Sequence, residues 1–286
     1  MILVTGATGN IGVPLTMALR ERGVPFRALT RLPRHAEELR ERGMEAVLGN
    51  LGDEEALDVA MEGVDRLFLL SSPGADAVRQ EFNAIDAAVR AGVRHVVKLS
   101  VIDADLHSPC RIMRGHAEIE RHLMASGPAY TMVRPNSLFQ NLLHGAAATV
   151  REVGSIFGAY DAARISQVDA ADVARVAAVA LTQPGHEGQT YEVTGPTAST
   201  YPEIAAALTQ VCGRLVSYVD LPDETLCAAV VGSGAPLWLA EGVMELAQYY
   251  RTGRLARVSA DVERVTGRPA TSLERFLTAN RATFEP

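Results

Sequence analysis

The amino-terminal segment joins a short apolar strand to a helix through a turn with three glycines, and this join restricts the fold more than any other part of the sequence. Residues 2–5 read Ile-Leu-Val-Thr, residues 6–12 read GATGNIG, and apolar side chains then recur at helical spacing. In such a turn Gly6 permits the tight bend, Gly9 lets the backbone approach a pyrophosphate, and Gly12 allows the helix to pack closely on the strand. The amino end of the helix then offers free N–H groups and a partial positive charge to the phosphates. The pattern predicts a dinucleotide-binding α/β fold.

The spacing of the glycines separates this turn from the commonest dinucleotide-binding turn. Its glycines fall at i, i+3 and i+6, whereas the common fingerprint places them at i, i+2 and i+5. The strand before the turn and the helix after it distinguish a phosphate site from a structural glycine turn that binds nothing. The turn residues that we expect to contact the cofactor are Gly6, Thr8, Gly9, Asn10, Ile11 and Gly12.

Helices and strands alternate through the first half of the chain. Besides the first strand and helix, the predicted strands are 26–30, 45–48, 66–70, 95–100 and 130–134, and the predicted helices are 36–42, 54–61, 77–91 and 114–126. This order is typical of an α/β protein with a Rossmann-type doubly wound parallel sheet and helices on both faces. We expect residues 1–150 to form the NAD(P)-binding domain.

Beyond about residue 150 the alternation becomes irregular. The predicted elements are strands at 165–168, 190–194 and 216–221, and helices at 169–181, 200–213, 223–231, 236–253 and 273–280. A capping box formed by Thr200 and Glu203 marks the start of one of these helices. We expect residues 151–286 to form a smaller α+β lobe on the substrate side, interleaved with the first domain rather than joined to it by a flexible linker.

The carboxyl ends of the strands supply the remaining candidates for cofactor binding, because ligands of open parallel sheets bind there. Arg31 follows the second strand, at the point where an arginine accommodates a 2′-phosphate, and it favours NADPH over NADH. Arg34 is equally well explained as a solvated loop charge. The other candidates at strand ends are Ser71, Ser72, Leu99, Ser100, Pro135 and Asn136.

The loop at 135–141 is expected to lie over the nicotinamide end of the site, so Ser137 and Phe139 are candidates for contact with substrate. Trp238 and its apolar neighbours within 223–253 could line a pocket for a small hydrophobic, aromatic or conjugated substrate. The same spacing would also suit a packed core, the face of a homodimer or a lid. The sequence leaves these uses and the oligomeric state open.

Composition and charge exclude several classes of protein. The net charge of −7 argues against nucleic acid as a partner, since phosphate binding needs a basic surface. Neither a charged leader nor a long apolar segment is found, so we expect a cytoplasmic protein that does not enter a membrane. Cys110, Cys212 and Cys227 lack metal-ligand spacing and no histidine motif occurs, so no metal is predicted.

Several motifs together resemble the NmrA-like atypical short-chain dehydrogenases/reductases, and most of all the branch with triphenylmethane reductase and the type 2 quinone oxidoreductases. They are TGATGNIG, Arg31, the strand VVKLS, the segment GHAEIERHLMASGPAYTMVRPN and YEVTGP. The resemblance covers nearly the whole chain and implies an NADPH-dependent oxidoreductase. It places Ser100 at the position of the family's serine after the fifth strand, and His116 and Ile112 at the positions of the lysine and tyrosine that ordinary members use for proton transfer.

The departure at Ile112 leaves two hypotheses for function, because an isoleucine cannot transfer a proton. In the first, the protein positions the cofactor so that hydride passes directly to an electron-poor acceptor such as a quinone or a cationic dye, with His116 and Ser100 as candidate catalytic residues. In the second, it binds NADP(H) without catalysis and acts as a redox-sensing regulator of the NmrA type. Whether His116 transfers a proton, contacts the ribose or lies behind the site stays open, and the sequence does not identify the acceptor.

Overall fold

The computed structural model describes residues 1–285. The strands in this range are β1 (Ile2–Val4), β2 (Phe26–Thr30), β3 (Glu45–Leu48), β4 (Arg66–Leu69), β5 (His95–Leu99), β6 (Ala129–Pro135), β7 (Ser155–Gly158), β8 (Gln189–Val193) and β9 (Ser217–Asp220). The α-helices are α1 (Gly12–Glu21), α2 (Pro33–Glu41), α3 (Glu54–Met61), α4 (Ala77–Arg90), α5 (Arg111–Ala125), α6 (Gln140–Gly145), α7 (Ala147–Val153), α8 (Ala170–Thr182), α9 (Tyr201–Cys212), α10 (Asp223–Gly232), α11 (Leu237–Arg251), α12 (Asp261–Thr266) and α13 (Leu273–Ala279).

The first of two compact units contains the large sheet and comprises residues 1–106, 115–134 and 170–192. Seven strands follow the order β3-β2-β1-β4-β5-β6-β8, and the pairs from β3 to β6 are parallel. Parallel neighbours require crossover connections, and helices supply them here. The order of the strands reverses between β1 and β4, where doubly wound sheets bind their ligands. The predicted Rossmann-type doubly wound fold is confirmed.

The centre of this sheet is covered on both faces, so its strands are apolar nearly throughout. All three residues of β1 are buried, as are all five of β5. The alanine- and valine-rich helix α8 packs on α1 and β4, and small side chains allow that close approach. Lys98 stands in the middle of this core with a fully buried side chain, at a position where an apolar residue would be ordinary.

The second unit comprises residues 107–114, 135–169 and the chain from 193 onward. Its two strands, β7 and β9, pair in parallel with Ser155 opposite Ser217. The predicted capping box is present at α9, where the Thr200 side chain accepts from the backbone of Glu203 and the Glu203 carboxylate accepts from the backbone of Thr200. These bonds satisfy two amide groups that the first turn of a helix leaves without partners.

The two units differ from the expected division at residue 150. Residues 170–192 return to the first unit, where α8 covers the sheet and β8 extends it beyond β6. Residues 107–114 and 135–150 belong to the second unit. Contacts between segments distant in the chain decide this assignment, and periodicity carries no information about them.

Element by element, the predictions for the first half agree with the structure to within a few residues at the ends. The helices α2 and α5 begin at Pro33 and Arg111, three residues earlier than predicted. The prediction of a strand at 165–168 was wrong, because Ile165 and Val168 form only isolated bridges. The elements β7, α6, α7 and α12 were not predicted. No helix within residues 1–285 is long and apolar enough to cross a membrane.

Candidate cofactor site

The glycine turn between β1 and α1 has the geometry that its sequence predicts. Gly6 has a φ of +64°, and a Cβ there would lie 2.9 Å from Cγ of Leu70. A Cβ on Gly12 would lie 2.0 Å from the carbonyl oxygen of Gly6, so only glycine allows the helix to start against the turn. Gly9 is exposed, and the only neighbour of a Cβ there would be the Gly6 carbonyl oxygen at 3.4 Å. The space in front of Gly9 is therefore open to a ligand.

Hydrogen bonds across the sheet hold this turn in place. The hydroxyl of Thr5 lies within donor distance of the carbonyl oxygens of Phe68 (3.1 Å) and Leu70 (2.8 Å), and Oγ1 accepts from the backbone N–H of Leu70 at 2.8 Å. The N–H of Gly9 donates to the carbonyl oxygen of Gly6 at 3.0 Å. Two strands at the switch point of the sheet thus support the loop that leads into α1.

A cleft lies beside the turn at the carboxyl edge of the sheet, with about 620 Å³ of free volume including the part that opens to solvent. Five of the residues predicted for cofactor binding line it, namely Gly6, Thr8, Arg31, Ser71 and Ser72. Residues 9–12 complete the same turn, but they do not form the wall of the cleft.

Arg31 stands on the wall of this cleft with its side chain exposed. Its Nη2 donates to Oγ of Ser72 at 3.3 Å, which joins the ends of β2 and β4 across the opening. Within residues 1–285 no carboxylate pairs with Arg31, so its charge is available to an anion. A guanidinium in this place suits a phosphate, which it can bind through two parallel N–H groups.

The structure adds residues to the cleft that the sequence analysis did not single out. They include Thr30, His35, Asn50 and Gln80. Asn50 follows the end of β3, so the rule that ligands bind at carboxyl ends of strands would have found it. His35 and Gln80 lie on α2 and α4 and carried no signal in the sequence, because only the tertiary fold turns these helices toward the cleft.

Farther along the same edge, Leu99 is the last residue of β5 and Ser100 follows it. Both are buried, and the N–H of Ser100 donates to the carbonyl oxygen of Val133 at 2.7 Å. Oγ of Ser100 has no hydrogen-bond partner among the described residues, although it is fully buried. A buried hydroxyl without a partner costs free energy, so a ligand group that reached it would be stabilised.

His116 is half-buried on α5 and contacts the buried Lys98, whose Nζ lies 3.2 Å from Nδ1 of the imidazole. Burial, and after it the charge of Lys98, hold the pKa of His116 well below its usual range. The imidazole is therefore neutral at physiological pH. Ile112, one helical turn earlier on α5, supplies no titratable group.

The remaining candidates belong to the second unit, where most are engaged in the packing of that unit. Asn136 is buried, and its Nδ2 donates to Oγ of Ser166 and to the carbonyl oxygen of Leu255, both at 2.9 Å. Phe139 is buried and stacks on Phe276 with ring centroids 5.1 Å apart. These contacts explain both residues without a ligand.

Pro135, Ser137 and Trp238 have less specific surroundings. Pro135 is the buried last residue of β6. Ser137 is half-buried and receives a hydrogen bond from Asn141 at 3.2 Å. Trp238 is half-buried at the start of α11, and its carbonyl oxygen accepts from Arg111 at 3.3 Å. The described residues contain no group of three or more His, Cys, Asp or Glu side chains that could hold a metal ion.

The features of the first unit fit an NADP(H) molecule. The fit rests on the glycine turn that excludes side chains, the open space at Gly9 and the guanidinium of Arg31 on the cleft wall. The turn and the start of α1 would hold the pyrophosphate, and Arg31 with Ser72 would hold a 2′-phosphate.

Comparison with known proteins agrees with this geometry. The model of the NmrA-like family matches residues 1–279. The NAD(P)H azoreductase of Xenophilus azovorans is 40% identical over 284 residues, which make up 99% of each chain. An NADPH-dependent quinone oxidoreductase from Escherichia coli, solved with NADPH, has a TM-score of 0.89 at 33% identity and covers 98% of this chain and 100% of its own. The Citrobacter sp. triphenylmethane reductase complexed with NADP(H) has a TM-score of 0.88 at 27% identity, with 99% and 100% covered.

Proposed function

Because the chain belongs to the NmrA-like family, we propose that it is an NADPH-dependent reductase that transfers hydride directly to an electron-poor conjugated or aromatic acceptor. The observation that carries this proposal is the full-length similarity to reductases named for azo, quinone and triphenylmethane acceptors. These acceptor classes share a conjugated system that stabilises the product of hydride addition without the help of a protein acid. The protein therefore has to orient the cofactor and the acceptor and exclude water from them, and it has less need to protonate the product.

Arg31 decides the choice of cofactor in this proposal. It lies on the cleft wall beside Ser72 and carries no competing carboxylate among the described residues. A 2′-phosphate at this place receives a charge-assisted hydrogen bond, whereas the 2′-hydroxyl of NADH receives a weaker neutral one. We therefore expect NADPH to bind at least about tenfold more tightly than NADH, which corresponds to about 1.4 kcal/mol.

The residues of α5 explain why a proton donor is dispensable. The bound cofactor supplies the hydride, and Ile112 and His116 occupy the positions of the proton-transferring pair in ordinary family members. Ile112 keeps its position apolar, and His116 is held neutral by burial and by Lys98. A triarylmethyl cation gains hydride at its central carbon and becomes neutral, so its reduction consumes no proton. A quinone becomes a hydroquinone anion, which water can protonate after hydride transfer.

The proposal is tested with NADPH that carries deuterium at the transferred position of the nicotinamide. We expect reduction of a triphenylmethane dye to place one deuterium on the central carbon, because a C–D bond formed there does not exchange with water. Mass spectrometry of the leuco dye measures this label. A leuco dye without deuterium would contradict direct transfer.

Substrate range separates this function from the alternatives. NADPH consumption should be rapid with a naphthoquinone, an azo dye or a triphenylmethane dye, and slow with cyclohexanone, whose alkoxide product needs a proton donor. Efficient reduction of cyclohexanone would contradict the mechanism. Tight binding of NADPH without turnover of any acceptor in the panel would instead favour the redox-sensing regulator.

A further inference from the structure

Lys98 is a fully buried cation in the core of the first unit. It lies near the carboxyl end of β5, where the other four residues of the strand are also buried. Its side chain is 0% exposed, and that of its partner Glu81 on α4 is 1% exposed. Charges are rarely buried to this extent without a specific use, because desolvation is costly.

The ammonium group has three N–H donors, and three acceptors surround it. Nζ lies 2.8 Å from Oε2 of Glu81, contacts the carbonyl oxygen of Leu99, and lies 3.2 Å from Nδ1 of His116. The contacts with Leu99 and His116 are hydrogen bonds, whereas Oε2 of Glu81 pairs with the ammonium group through its charge and has no hydrogen-bond partner among the described residues.

This contact fixes the tautomer of His116. An ammonium group can only donate, so Nδ1 of His116 must be the acceptor and carries no proton. In a neutral imidazole the proton then resides on Nε2. To become an imidazolium, His116 would need a proton on Nδ1, facing the charge of Lys98 at 3.2 Å.

The same network reaches the wall of the cofactor cleft. Oγ of Ser71 donates to Oε1 of Glu81 at 2.8 Å, and Ser71 lines the cleft. A continuous set of polar contacts thus connects Ser71, Glu81, Lys98 and His116 within the first unit. Glu81 balances the charge of Lys98, which keeps the ammonium available as a donor to His116.

We propose that Lys98 is a positioning residue that, with Glu81, holds His116 as the neutral tautomer with its proton on Nε2. A neutral imidazole held in one tautomer neither takes up nor releases a proton during hydride transfer, and this role rests on the proposed reductase function. The imidazole bears the same proton before and after hydride transfer, so its tautomer is a property of the resting protein.

The tautomer is measured by two-dimensional ¹H–¹⁵N spectra of the full chain with ¹⁵N-labelled histidine, at neutral pH, with and without NADPH. The signals of His116 are those that a His116→Gln variant loses. We expect a protonated Nε2 and an unprotonated Nδ1. An imidazolium pattern, or a proton on Nδ1, would overturn the proposal whether or not the protein proves to be a reductase.

A charge-balanced variant tests the role of Lys98. Removal of Lys98 alone would leave Glu81 buried without its partner, so we combine Lys98→Met with Glu81→Met, which replaces the pair by apolar side chains of similar length. In the double variant His116 should show averaged ¹⁵N shifts of two exchanging tautomers. His122, on the same helix as His116, is an internal control: its Nε2 contacts Asp86 of α4 at 2.8 Å, and its signals should not change. An unchanged His116 spectrum in the folded double variant would refute the role of Lys98.

Kinetics distinguish positioning from a purely structural role. If Lys98 acts through His116, His116→Ala should cost no more than about twofold in kcat/KM when added to the double variant, because coupled residues are not additive. Addition of the two separate losses would overturn the proposal. Circular dichroism and NADPH affinity of each variant establish that the compared proteins are folded and bind the cofactor.

Discussion

Gly12 and Gly9 of the first turn should respond differently to the same added methyl group. At the buried Gly12 it should lower the stability of the fold, and at the exposed Gly9 it should weaken cofactor binding. A Cβ on Gly12 would lie 2.0 Å from the carbonyl oxygen of Gly6 and 2.6 Å from Cα of Ala7, far inside van der Waals contact with backbone atoms. Backbone cannot rotate out of the way as a side chain can, so we expect Gly12→Ala to cost about 3 kcal/mol, at the upper end of overpacking effects. With an unfolding entropy of about 2.1 cal/mol/K per residue, that is a fall in Tm of about 5 °C for a chain of 286 residues.

Gly9→Ala should leave the fold intact and weaken cofactor binding. Its Cβ would meet only the Gly6 carbonyl oxygen, at 3.4 Å, and the residue is exposed. Loss of chain entropy in the unfolded state makes such a change neutral or slightly stabilising. The methyl group would however occupy the space through which a pyrophosphate approaches the backbone. We expect NADPH affinity to fall at least tenfold, or about 1.4 kcal/mol.

Thermal unfolding without cofactor and titration of NADPH by fluorescence measure the two effects separately. Gly145→Ala is the matched control, because no heavy atom lies within 4 Å of a Cβ at this helical position, and it should change neither quantity unfavourably. Wild-type affinity for NADPH in Gly9→Ala would remove the turn from the phosphate site. An unchanged Tm in Gly12→Ala would refute the steric reasoning.

Two further predictions concern Arg31 and His95. Arg31→Asp should lower NADPH affinity at least tenfold and shift the preference toward NADH, and equal affinity of the wild type for both nucleotides in calorimetry would contradict the role of Arg31. Burial, and after it the charge of Arg66, lower the pKa of His95, whose Nε2 lies 2.9 Å from Oγ1 of Thr131 and whose Nδ1 is buried without a partner among the described residues. The unfolded chain therefore takes up a proton near pH 6.5 that the native state refuses, so the free energy of unfolding should fall as pH drops below about 6.5 until the lower native pKa is reached. Urea unfolding from pH 8 to 5 should show a smaller loss in His95→Gln than in the wild type, and equal losses would refute the assignment.

Features that depend on neighbouring residues could be predicted from the amino-acid sequence. The order of strands and helices in the first half, the bend at Gly6 and the capping box at Thr200 all follow from patterns a few residues long, and the structure agrees with them. The family, too, was identified from motifs of this kind, and the family model confirmed it. Arg31 could be placed at the carboxyl edge of the sheet in advance because the ends of parallel strands share one edge, and the structure has it on the wall of the cleft there.

Contacts between residues far apart in the chain could not be predicted in this way, because they depend on how the elements pack. Lys98 stands in a strand whose sequence is otherwise unremarkable, and neither Glu81 nor Ser71 gives a local sign that it belongs to a network with His116. Asn136 has the position of a ligand-binding residue, yet its amide donors bond to groups 30 and 119 residues away. Local periodicity reports which face of an element is buried, whereas hydrogen-bond partners and the return of α8 and β8 to the first unit depend on packing between segments far apart in the chain.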